Sequence, residues 1–71
     1  MKRAEADLQR MANQIARAFA ADASGDAAAR LADHMHRFWS PLMRADLLAA
    51  INEGRIIADP AVAEACERGL I

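Results

Sequence analysis

The stretch Phe38-Trp39-Ser40-Pro41-Leu42-Met43-Arg44 constrains this chain more than any other. Proline lacks a backbone N–H and has a fixed φ, so it suits the first position of a helix and pushes the residue before it out of helical geometry. A serine in that preceding position caps the new helix with its hydroxyl. Ser40-Pro41 therefore marks the end of one helix and the start of another, and the corner is where the helices should meet. Phe38 is in phase with the apolar residues before it and is expected in the core. Trp39 reads equally as core or as a partner anchor, because a large ring with one N–H donor suits either place. Arg44 is either a solvated charge or a rigid donor fork for a partner's carboxylate or carbonyls.

Periodicity places the other elements. Leu8, Met11, Ala12, Ile15 and Phe19 recur at helical spacing between about Glu5 and Ala21, with Gln9, Arg10, Asn13 and Arg17 between them. Glu5 and Asp7 in the first turn complement the helix dipole. Asn13 and Gln14 are adjacent amides; exposure is the ordinary fate of such side chains, and hydrogen bonding between helices or subunits is the other. Asp22-Ala23-Ser24-Gly25-Asp26 is a turn cluster in which Ser24 or Asp26 caps the next helix. From Ala27 to Trp39 a stripe of Ala28, Leu31, Ala32, Met35, Phe38 and Trp39 predicts a second helix, packed on the first as a hairpin.

A third helix is expected from Pro41 to about Asn52, ended by Gly54 as a left-handed C-cap. Arg55-Ile56-Ile57-Ala58 is an extended connector that packs Ile56 or Ile57 onto the bundle, or else offers them to a partner. Asp59-Pro60 repeats the cap-plus-proline start, and a short last helix reaches about Arg68 with Val62 and Cys66 facing inward. Gly69-Leu70-Ile71 is a frayed or partner-docked tail. The expected fold is all-α: one domain over residues 1–71, three helices and a short C-terminal fourth. Met35, Phe38 and Met43 are expected at its centre with Leu8, Ile15, Phe19, Leu31, Leu47 and Ile51.

Composition narrows the function classes. The chain has 71 residues, of which 19 are Ala, so its hydrophobic fraction of 55% overstates the core it can build. A domain this small usually needs a disulfide, a metal or a partner to be stable. One Cys excludes an internal disulfide, and Cys66, His34 and His36 have no metal-ligand spacing. A protein partner is the remaining expectation. Net charge is −1 and the nine basic residues are scattered, which argues against nucleic acid. No run approaches the length of a membrane span or a secretion signal, so a cytoplasmic chain is expected. No paired acid, base or nucleophile suggests catalysis, and none of the three glycines belongs to a phosphate loop.

Met11-Ala12-Asn13-Gln14-Ile15-Ala16, Ala32-Asp33-His34, the Phe38-Trp39-x-Pro41-x-Met43-Arg44 corner and a connector before Asp59-Pro60 together resemble the delta subunit of the soluble, molybdenum-containing, NAD-dependent formate dehydrogenases of bacteria. The resemblance runs from about Leu8 to Leu70. Two corner positions depart from the familiar form: Ser40 replaces Asp and keeps the cap, while Leu42 replaces Arg and removes a polar group. The resemblance implies a non-catalytic accessory subunit. The catalytic alpha subunit of such complexes carries a molybdenum bis-pyranopterin cofactor and iron-sulfur clusters, the beta and gamma subunits carry FMN and further clusters that reach NAD, and the delta subunit carries none. Asn13, Gln14, Trp39, Pro41 and Arg44 carry the likeness and are the partner contacts it implies. A transient assembly chaperone for the alpha subunit and a free-standing helical regulator are the competing classes.

Overall fold

Each helix begins and ends for an identifiable local reason. The computed structural model describes residues 4–22 and 25–71. Within them lie four helices: α1 (Glu5–Ala20), α2 (Ala27–Phe38), α3 (Pro41–Asn52) and α4 (Pro60–Glu67). α1 starts without a side-chain cap, but Glu5 and Asp7 lie at the positive end of its dipole and Arg17 at the negative end. α2 is capped by Asp26, whose carboxylate accepts from the Ala29 N–H at 3.2 Å; Ser24, the other expected cap, lies outside the described residues. α3 starts as the sequence predicts, with Pro41 in its first turn and the Ser40 hydroxyl accepting from the Met43 N–H at 3.2 Å. Ser40→Ala is expected to cost about 1 kcal/mol, read as a lower midpoint in chemical denaturation.

α4 corrects an expectation. Asp59 occupies the cap position but makes no capping bond. Its carboxylate instead accepts from Arg17 Nε at 3.0 Å, tying the start of α4 to the end of α1.

Two glycines end helices in the same way. Gly54 and Gly69 both have φ of 70°, which a side chain would strain. Beyond them Arg55 N–H donates to the Ala50 carbonyl and Leu70 N–H to the Ala65 carbonyl, each at 2.9 Å, so the last turns of α3 and α4 have their carbonyls satisfied there. The second of these bonds turns the tail back. Leu70 and Ile71 pack against the core, so Gly69-Leu70-Ile71 is folded onto its own chain rather than frayed.

α1 and α4 each pack against all the other helices, whereas α2 and α3 turn apart at the corner that joins them. Leu8, Leu31, Met35, Leu47 and Val62 are the large side chains with no exposed surface. Buried Ala12, Ala16, Ala28, Ala32, Ala50 and Ala65 fill the rest, and such small residues allow close helix approach. Met11, Ile15, Phe19, Met43 and Ile51 rim this centre rather than fill it. Cys66 is half-buried, its thiol directed at Asn52 Oδ1 at 3.7 Å. No described helix is long and apolar enough to cross a membrane.

Candidate functional site

Phe38 and Trp39 do not both face inward. Phe38 is 72% exposed and Trp39 only 6%. The cause is where α2 stops: Phe38 is its last residue, and Trp39 takes extended geometry, φ −100° and ψ 140°. One residue of extended backbone swings the indole onto the core. Phe38, still helical, sits about 70° around α2 from the centre of the buried stripe and points outward. The expectation that Phe38 lies in the core is therefore wrong, and Trp39 is packed within its own chain.

Beyond the corner, Pro41 is exposed and Leu42 is 66% exposed. On the other flank of Phe38 its ring lies against His34, centroids 4.7 Å apart, and His34 meets the edge of Phe19 at 6.1 Å. The three rings floor an open cleft of about 260 Å³, completed by Arg30, Asp33 and Arg37. Arg37 is paired with Asp33 at 3.2 Å, and Arg30 reaches the Asp22 carboxylate.

Arg44 belongs to a different cluster. Arg10, Arg17, Arg30, Arg37, Arg55 and Arg68 each lie against a carboxylate. Arg44 Nη1 instead donates to His36 Nδ1. His36 Nε2 faces the Leu70 carbonyl oxygen at 2.7 Å. A carbonyl only accepts, so Nε2 carries the hydrogen and Nδ1 is left to accept from Arg44. α2, α3 and the tail are joined through one imidazole. His36→Ala is expected to loosen the tail alone, seen as faster removal of Ile71 and Leu70 by carboxypeptidase with helix content unchanged.

Of the two adjacent amides, Gln14 is exposed while Asn13 is only 7% exposed. Asn13 Nδ2 donates to the Ile57 carbonyl at 2.9 Å, and Asn13 Oδ1 accepts from the Asp59 N–H at 2.9 Å. Gln9 Oε1 accepts from the Ile57 N–H at 3.0 Å. The connector is thus fastened to α1 by side-chain amides, which leaves Ile56 packed on the core and Ile57 77% exposed. The reading of Asn13 as an ordinary exposed amide does not hold. Gln9, which periodicity alone assigns to the solvated side, is legible as its i, i+4 neighbour on the same stripe.

Asp26 and Arg68 form the main electrostatic tie between α2 and α4, with Arg68 Nη1 3.1 Å from the Asp26 carboxylate and 3.0 Å from Glu64. The Ala29 N–H and then Arg68 hold the Asp26 carboxyl below its ordinary range. Its contribution to stability is present above the unfolded carboxylate's pKa of about 3.9 and is lost as pH falls through the lower folded value. Asp26→Ala is expected to flatten the acid limb of the stability profile below about pH 4, measured by thermal melts across pH.

The expected contacts are therefore dispersed: Trp39 and Pro41 at the corner, Arg44 on the His36 cluster, Asn13 under the connector and Gln14 on the open side of α1. Among the described residues no three His, Cys, Asp or Glu side chains come together as a metal site. No curated protein and no solved structure matches the chain. A family model described as the NADH-dependent formate dehydrogenase delta subunit, FdsD, matches residues 7–66, a span that takes in the corner, the Asn13 fastening and the connector. This chain belongs to the formate dehydrogenase delta-subunit family.

Proposed function

We propose that this chain is a non-catalytic accessory subunit that docks on the catalytic alpha subunit of an NAD-dependent, molybdenum-containing formate dehydrogenase and stabilises the cofactor-loaded enzyme. The observation that carries the reading is the family match over residues 7–66. The physics of the chain supports it. Five large side chains make up the fully buried centre, a thin core for a free-standing domain. A standard interface removes about 800 Å² from each partner, against a total accessible surface of 4391 Å² for the described chain. Docking would thus add substantially to what holds the fold together. The molybdenum cofactor, iron-sulfur clusters and FMN then reside in the alpha, beta and gamma subunits, in the cytoplasm, and this chain acts on them only through the alpha subunit. Gln14, Pro41 and the outer edge of Arg44 are contacts in this reading, with Asn13 and Trp39 supporting them from inside.

The test is affinity capture of the tagged chain from its native cells, with identification of partners, molybdenum analysis and formate-dependent NAD reduction on the eluate. Recovery of the large subunits in constant ratio with activity is the expected result. Recovery of a metal-free alpha subunit alone would replace this reading with the assembly chaperone.

A further inference from the structure

We infer that the ring face formed by Phe19, His34 and Phe38, extended by Leu42, is the surface on which a larger subunit of the formate dehydrogenase complex seats an apolar or aromatic side chain. The inference rests on the accessory-subunit reading and adds to it the face that docks. Phe38 and Leu42 are 72% and 66% exposed and lie on either side of the turn through Trp39, Ser40 and Pro41. Neither is forced outward for want of room for an apolar residue elsewhere: Trp39, between them, is the residue the corner buries.

The charges around the rings specify the partner's chemistry. Arg37 is neutralised by Asp33 and Arg30 by Asp22, both within the chain. A charged group entering between them would have to break an existing pair, whereas an apolar side chain meets only ring faces and the aliphatic stems of the arginines. The stacked order of Phe19, His34 and Phe38 leaves room beside the rings for a further one in an offset or edge-on arrangement.

The area available selects a heteromeric occupant over a second copy of this chain. Phe38 and Leu42 together expose on the order of 250 Å² of apolar surface. Obligate homodimers bury far more, and more apolar, surface than that. A small apolar centre ringed by self-paired charges instead matches the anchor of a mixed interface, in which a few residues dominate binding and a polar rim excludes water.

The experiment is capture of the complex from native cells through the tagged chain, comparing wild type, the double variant Phe38→Ser with Leu42→Ser, and Ile57→Ser. Ile57 is equally exposed but lies along the Gln9 and Asn13 stripe of α1, about 120° around that helix from Phe19. The expected result is a loss of at least about tenfold in recovered large subunits for the double variant, with helix content and melting temperature of the isolated chain retained and Ile57→Ser like wild type. A photo-crosslinking phenylalanine analogue at position 38 is expected to join the chain to a large subunit, a readout independent of affinity. If wild type recovers the complex and the double variant does so equally, this face is not the docking surface while the accessory-subunit reading stands. An equal loss for Ile57→Ser, or a wild-type dimer that the double variant dissolves, also overturns the inference. If wild type recovers no large subunit, the accessory-subunit reading itself fails.

Discussion

Trp39→Ala is expected to destabilise the isolated chain by about 3–5 kcal/mol, the usual cost of removing a large buried aromatic, while Phe38→Ala one residue away costs less than about 0.5 kcal/mol, as at other exposed sites. The indole is 6% exposed and belongs to the core cluster; the Phe38 ring is 72% exposed and touches chiefly His34. By the usual 0.05–0.15 kcal/mol per residue, a domain of this length has about 4–10 kcal/mol of stability to lose. Trp39→Ala should therefore leave the chain largely unfolded or melting at least about 12 °C lower. Paired thermal melts followed by circular dichroism decide the matter. Similar losses at both positions would mean that the end of α2 has been placed one residue wrong.

The same pair of residues shows what the amino-acid sequence reveals and what it withholds. Ser40-Pro41 announces a helix start because the chemistry is local: a missing N–H, a fixed φ and a hydroxyl within reach of the Met43 amide. Asp26 and Gly54 are legible for the same reason. Phe38 and Trp39 are not, since both satisfy the helical period and only the residue at which α2 stops decides which ring turns inward. A boundary error of one residue exchanges core and surface. Asp59 fails differently, because its local role as a cap competes with Arg17, 42 positions earlier, and nothing in the local sequence ranks the two. The tail likewise depends on a distant partner, His36, which has no periodic signature. At the candidate site the sequence points to the corner as the organising feature, but the exposed surface there is Phe38 and Leu42 rather than Trp39.

Asn13→Ala is expected to cost about 2–3 kcal/mol, because it removes one enclosed donor and one enclosed acceptor and leaves the Ile57 carbonyl and Asp59 N–H without their partners. Gln9→Ala should cost less, about 0.5–1 kcal/mol, since its bond to the Ile57 N–H is exposed and water can replace it. The damage should also be local before it is global: hydrogen exchange at the Asp59 amide is expected to quicken well ahead of amides in α2, because the connector detaches from α1 while the α2 and α4 packing persists. Asn13→Asp discriminates further. It retains the acceptor for the Asp59 N–H but turns a carboxylate toward the Ile57 carbonyl, so it should be no better than alanine. These measurements on the isolated chain separate two roles for one residue of the family-matched span. Loss of stability without a partner present assigns Asn13 to holding the connector, and so to presenting Ile57 and starting α4. Unchanged stability with weakened recovery of the complex would instead make Asn13 a contact in its own right.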